Sequence, residues 1–374
     1  MKQLEVVIIG GGLAGLTAAI HLAQKGQKIS LFEKEAFPHH KVCGEYLSRE
    51  VLPYFQELKI PIEEIEPKEI SRLQFSTQSG NSLEMELPQG GLGISRYALD
   101  NLLYQQAVKN SVEVKQEKVN EVTFSENAFK IITSEGEYEA DVVLGAFGKR
   151  SHLDRSLERD FFQKPAPWMA AKWHFSAEDF PDDLVALHNF SGGYCGLSKT
   201  ESGAVNLCYL ASYESFKPHK DPEVFQEKVL RKNPFLDSFL KDAKPLFGNP
   251  LAIAQVSFSK KDAVHDHIIM LGDAAGLIHP LCGNGMAMAI HSGKIASEVL
   301  LNQLKKPEEF SRKQLEKEYQ KEWQQQFTGR LTAGKWLQKL LLNQSLAEIS
   351  QAIVAKMPFL MPKIIRTTHG NPIV

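Results

Sequence analysis

The sequence predicts an α/β fold with a three-layer core, an interleaved β-rich region and a helical C-terminus, and three observations predict it. The chain opens with an apolar run, a glycine-rich turn and an amphipathic segment, the pattern of a strand leading into a helix. Two more apolar runs, near residues 141 and 267, each end in glycine. Alternating, aromatic-rich stretches separate these pieces, and helical periodicity dominates after Ser292.

The elements follow in order. Leu4–Ile9 is the first strand, and the helix after the turn carries Leu13, Leu16, Ile20 and Ala23 on one face. Gly26 stands where a helix ends in a left-handed residue. Lys28–Glu33 is the second strand. Ile70–Leu87 alternates around Ser79-Gly80-Asn81, as a hairpin does. Ser95 caps a helix bearing Leu99, Leu102 and Leu103, and short strands follow near Val112–Val114, Glu121–Phe124 and Lys130–Thr133. Asp141–Leu144 reads as a buried strand ending in Gly145-Ala146-Phe147-Gly148, and His267–Leu271 as another before Gly272-Asp273. Trp168 to about Leu210 is β-rich. The order predicts interleaving: 1–60, 95–155 and 263–300 form a nucleotide-binding domain, 61–94 and 156–262 a substrate domain, and 301–374 a helical segment.

A length of 374 residues suits two to three domains at ~150 residues each. Forty-three basic and forty-five acidic side chains give a formal charge of −2, unlike a nucleic-acid binder. Cys43, Cys195, Cys208 and Cys282 show neither a CxxC pair nor metal-ligand spacing, which argues against a disulfide framework or a metal site and fits a reducing cytoplasm. Glu5 and the glycines at 10–12 interrupt the apolar start that a signal peptide needs. The uncharged stretch Ala274–Gly293 contains Pro280 and Gly283, so it reads as a loop entering a helix and not as a membrane span. A cytoplasmic protein is expected.

Gly10-x-Gly12-x-x-Gly15 carries the first chemistry. Gly10 permits the tight turn, Gly12 lets the backbone approach a diphosphate, and Gly15 lets the helix pack on the sheet. Leu13 and Ala14 lie at the helix start, whose free N–H groups favour phosphate. Glu33, followed by Lys34, ends the second strand and accepts ribose hydroxyls there. A 2′-phosphate beside that carboxylate would cost about 4 kcal/mol at an effective dielectric near 20. The site therefore suits FAD or NAD, not NADP. The segment Leu271–Met286 separates the two. A strand delivers Gly272 and Asp273, where a carboxylate holds a polyol hydroxyl; Pro280, Gly283, Asn284 and Gly285 let backbone N–H groups reach a flat ring edge. A helix starting near Met286 favours negative charge on a reduced flavin. The reading is a Rossmann-like, FAD-binding domain.

With GGGLAGLTAAIHLAQKGQKISLFEKE, KVCGE at 41–45, ISRYALDNLL at 94–103 and LGDAAGLIHPLCGNGMAMAIHSG in hand, the chain resembles the FAD-dependent superfamily of p-hydroxybenzoate hydroxylase. The similarity is greater to its geranylgeranyl reductase-like branch, and residues 155–265 match loosely. The resemblance implies that Lys41, Cys43 and Gly44 lie beside the flavin, Arg96 near the phosphates or ribitol, Val119 under the adenine, and Gly148 in the cofactor wall. Phe147 stands where the hydroxylases have an aspartate that serves FAD and NAD(P)H, which argues against hydroxylase-style NAD(P)H reaction. The paired-tryptophan motif of the halogenases is absent, so halogenation is not expected. Gly193-Tyr194-Cys195-Gly196 only echoes the tyrosine–tryptophan stretch of prenyl reductases.

No residue declares itself the catalytic acid or base. The candidates are His279, a neutral-pH proton donor or a structural imidazole, Tyr194 at a substrate pocket or in the core, and Cys43. From Leu331 on, Lys335, Lys339, Lys356, Lys363 and Arg366 face one acid, Glu348, among Trp336, Leu340–Leu342, Ile349, Ile353, Phe359 and Leu360. These helices either cap the core or present a basic amphipathic face to a membrane surface or an acidic carrier protein. The expected activity is reduction of carbon–carbon double bonds in a hydrophobic substrate, with electrons from NAD(P)H or a reduced carrier. Flavin monooxygenation and simple electron transfer are the alternatives.

Overall fold

The computed structural model describes residues 5–305, 307–342, 344–356, 365 and 367–374. Its centre is a six-stranded sheet in the order Val264–His265, Ile268–Met270, Val142–Gly145, Val6–Ile9, Ile29–Phe32, Glu113–Lys115. All pairs are parallel except the edge strand Val264–His265. Val6–Ile9 is buried along its whole length, which is why it reads as an unbroken apolar run and not as an alternation.

The helices Leu13–Gln24, Arg96–Lys109 and Gly285–Leu304 share this sheet's core, and so does the antiparallel meander Val119–Ser125, Ala128–Thr133, Glu137–Ala140. Helices, sheet and meander are the three layers. The first and last of the three helices touch closely: a Cβ on Gly293 would lie 2.7 Å from the Ala14 carbonyl oxygen. Ser95 caps its helix as expected, its hydroxyl accepting from Ala98 N at 3.0 Å. Gly26 is left-handed, with φ +81°.

A second sheet of nine strands stands over the first. The hairpin is longer than the alternation indicated, Lys68–Ser76 pairing with Ser82–Gly93, and the short strand Tyr46–Ser48 extends it. Trp168–Ser176, Leu184–Phe190, Gly193–Lys199 and Val205–Ser212 complete most of the rest. Strand alternation divides their side chains. Met169, Ala171, Trp173 and Phe175 pack outward against Phe225, Leu230 and Leu236 of short helices. Ala170, Tyr194 and Leu210 face inward. Lys172, His174, Asn206 and Cys208 share that inner face by register.

The C-terminal region is helical over Arg312–Leu342 and Gln344–Lys356, but residues 369–374 of the expected helical segment are not. Lys363, Arg366, Phe359 and Leu360 of the expected amphipathic face lie outside the described residues. No helix among the described residues is long and apolar enough to cross a membrane.

Candidate functional site

A cavity of about 1350 Å³ lies between the two sheets. Gly10, Gly12, Leu13, Ala14, Glu33, Lys34, Lys41, Cys43, Gly44, Arg96, Val119, Gly148, Gly272, Asp273, Pro280, Gly283, Gly285 and Met286 all line it. Of the residues expected at a cofactor, Gly15 and Asn284 stand behind the wall. A Cβ on Gly15 would meet the Gly10 carbonyl oxygen at 2.0 Å, so its role is close packing of the turn. Gly10 itself has φ +108°, and a Cβ there would lie 2.4 Å from Ala146 O. Only glycine fits that corner.

The wall suits a dinucleotide. Among the described residues no side chain caps the helix at Gly12 or the helix that follows Asn284, so two helix starts bordering one cavity leave first-turn N–H groups for a ligand. Glu33 accepts from Gly11 N at 2.8 Å and from Glu35 N at 3.1 Å, so it also holds the turn in shape. Buried Asn284 gives its amide N–H to Glu50, while its Oδ1 has no hydrogen-bond partner among the described residues.

Arg96 stands before the first turn, 3.9 Å from where a Cβ on Gly12 would sit. Asp100, one helical turn on, receives two hydrogen bonds from it (2.7 and 2.8 Å) and one from Lys41 (2.9 Å). Burial would raise the Asp100 carboxyl, but Arg96 and Lys41 outweigh it and hold the pKa below the usual carboxylate value. The sequence reading missed Asp100, although its i+4 spacing from Arg96 on a capped helix was visible.

It missed a second node altogether. Glu45, the last residue of KVCGE, is fully buried and accepts from Lys172, from Arg96 N at 2.8 Å and from His174 Nε2 at 2.7 Å. Burial raises its carboxyl, yet His174 and Lys172 bring it below the ordinary value. The His40 and His174 rings meet edge to face at 5.3 Å, and His40, Glu45 and His174 offer three atoms within 4.8 Å of one another. Lys172 already supplies positive charge to that carboxylate, which disfavours a divalent cation there. Ser198 and Asn206 of the inner sheet face donate to Gly44 O and Cys43 O at 3.4 and 3.1 Å, seating the same loop.

The catalytic candidates separate. Tyr194 lines the cavity, and burial raises its phenol well above the ordinary value. Cys43 lines it too. Cys208 and Cys282, also in the wall, are pushed up to about 12 by burial and are thiols at neutral pH. His279 does not line the cavity. It sits among the rings of Trp168, Tyr194 and Phe258, accepts from Leu281 N at 3.4 Å, and burial pushes it down to about 3. With Nδ1 accepting, the neutral ring keeps its N–H on Nε2, which has no hydrogen-bond partner among the described residues.

Away from the glycine turns the wall becomes apolar, with Leu73, Phe75, Val185, Leu187 and Ile253 from the second sheet and Trp336, Leu337, Leu340 and Leu341 from the long C-terminal helix. Trp336 is 72% exposed and still lines the cavity, which places it at a mouth.

A family model described as the FAD binding domain matches residues 3–309. Among curated proteins, the chain is 26% identical over 337 residues to digeranylgeranylglycerophospholipid reductase 2 of Methanopyrus kandleri, covering 87% of this chain and 83% of that one. It is 26% identical over 351 residues to the 1H-pyrrole-2-carbonyl-(peptidyl-carrier protein) chlorinase of Pseudomonas fluorescens, covering 80% and 76%. The flavin-dependent brominase Bmp2 superposes with a TM-score of 0.81 at 19% identity, over 100% of this chain and 95% of that one, which shows a shared fold.

Proposed function

The chain belongs to the FAD-binding-domain family and is an FAD-dependent oxidoreductase; from that premise we propose that it reduces carbon–carbon double bonds of a hydrophobic substrate. The observation that carries the reading is one cavity with two chemistries, glycine turns and uncapped helix starts at one end and aliphatic side chains at the other. A relative named as a digeranylgeranylglycerophospholipid reductase supports the substrate class.

Bound FAD supplies the hydride. The chain supplies the grip: Glu33 holds ribose hydroxyls, the helix start at Leu13 holds the diphosphate with Arg96 before it, and Asp273 with the Gly283–Gly285 turn holds the ribitol and ring edge. The loop Lys41–Gly44 would border the ring of the bound cofactor, and Val119 would contact its adenine. The three segments 1–60, 95–155 and 263–300 form this half, and 61–94 with 156–262 the substrate half. Leu73, Phe75, Val185 and Leu187 exclude water and fix the apolar chain. NAD(P)H or a reduced carrier provides the electrons.

Lys335 and Lys339 flank exposed Trp336 at the mouth, a face suited to an acidic carrier protein or an anionic membrane surface in the cytoplasm. The carrier version has the support of a relative named for a carrier-bound substrate. The test is product mass. Anaerobic incubation of chemically reduced holoprotein with a prenyl lipid should oxidise the flavin and add two hydrogens to the lipid. A product heavier by one oxygen in air, with none formed anaerobically, overturns the reduction in favour of monooxygenation.

A further inference from the structure

Two turns of the cofactor wall, Gly148–Lys149 and Gly272–Asp273, come from distant parts of the chain, and a single ammonium joins them. Lys261 Nζ donates to the carbonyl oxygens of Lys149 and Asp273, both at 2.7 Å, and lies 4.3 Å from the centre of the Phe161 ring. An ammonium has three donors, so two are committed to fixing these turns and the third faces an aromatic surface. Beside it, buried Arg159 donates to Ala274 O at 2.9 Å, Asp262 O at 3.0 Å and Asp154 Oδ1 at 2.9 Å. The other Asp154 oxygen is taken by Ser151 N at 2.7 Å.

The buried charges do not balance. Lys261 and Arg159 are opposed by Asp154, and at the cavity face Lys149 and Arg150 stand against Asp273. Backbone carbonyls solvate a cation without neutralising it. The wall therefore keeps an excess positive charge, and FAD brings an anionic diphosphate to that wall.

We propose that Lys261 is a positioning residue that couples FAD binding to proton uptake: its ammonium sets the two wall turns in the arrangement that receives the cofactor, and the neutral amine does not. The proposal rests on FAD binding and is independent of the reaction catalysed. Burial pushes Lys261 down to about 8; Arg159 and Lys149 push the same way, and Asp154 and Asp273 oppose them. Without cofactor the ammonium is lost as pH rises through that value. The diphosphate favours the ammonium, so binding above it takes up a proton, and affinity falls with rising pH by at most about tenfold per unit.

The experiment is titration of flavin-free protein with FAD, followed by flavin fluorescence from pH 7 to 9.5 at constant ionic strength. The wild-type Kd should stay level to about pH 8 and then climb towards tenfold per unit. Lys261→Arg, charged throughout, should keep a level Kd, and Lys261→Met should bind weakly at every pH. Lys149→Met, which removes one of the charges that lower Lys261, should move the onset of the climb to higher pH and preserve the slope. A wild-type Kd level across the range, a Lys261→Arg curve with the wild-type slope, or loss of the slope in Lys149→Met would each overturn the proposal. If Lys261→Met does not fold, comparison of wild type with Lys261→Arg still decides.

Discussion

Arg96 and Asp100 stand one turn apart on a helix whose first residue faces the cofactor wall, and their fork pairing fixes the guanidinium where an anion will arrive. Lys41 shares the same carboxylate, so three residues from two elements form one unit with a net charge of +1. Asp100→Asn leaves two cations facing a neutral amide in a buried place. It should cost about 3–5 kcal/mol of folding stability, read as a lower urea midpoint with an unchanged slope. A loss below ~1 kcal/mol, the range of an exposed pair, would show that the site is solvated and the pairing incidental. At this scale the sequence was legible where chemistry is local. Gly10, Gly12 and Gly15 act through their own backbone, and Glu33 through a strand end a fixed distance away. Glu45 was not legible in that way. Its partners Lys172 and His174 lie more than a hundred positions on, and nothing in KVCGE says which strand will face it.

At the scale of elements, the C-terminal tail is fastened to the Gly283–Gly285 turn through one carboxylate. Glu50 accepts from Asn284 at 3.2 Å, from Arg330 of the long helix at 3.2 Å and from Gly370 N at 2.6 Å, and its carbonyl accepts from Ile373 N at 2.8 Å. Thr367, Thr368 and His369 line the cavity as a result. Removal of residues 365–374 should open that side and speed FAD dissociation by about tenfold or more, the equivalent of ~1.4 kcal/mol, measured by stopped-flow transfer of flavin to a scavenger apoprotein. An unchanged dissociation rate would mean the tail is a passive cover. Helical periodicity announced helices here, but the tail's docking follows from Arg330 stacking against Gly370, a contact across forty residues that no periodicity encodes. Strand alternation carried more: the inward face of Trp168–Ser176, with Ala170, Lys172 and His174, follows from register once the strand is known.

For the whole molecule, the decisive arrangement is that two glycine turns some 270 residues apart border one cavity, with the parallel strands Val6–Ile9, Val142–Gly145 and Ile268–Met270 carrying them to the same sheet edge. The order of these strands was readable as interleaving, because a parallel sheet needs crossovers and the β-rich insertions supply them. The apolar half of the cavity was not, since its wall is shared by strands and a C-terminal helix that only tertiary packing brings together. Equilibrium dialysis of flavin-free protein against FAD tests this arrangement most directly, comparing wild type with Gly12→Asp and Gly283→Asp, each variant checked for fold by circular dichroism. One flavin per chain should bind the wild type, and a carboxylate at either turn should weaken that single site by about a hundredfold, ~2.7 kcal/mol. Two flavins per chain, or full-strength binding by either folded variant, would contradict a cofactor held at both ends.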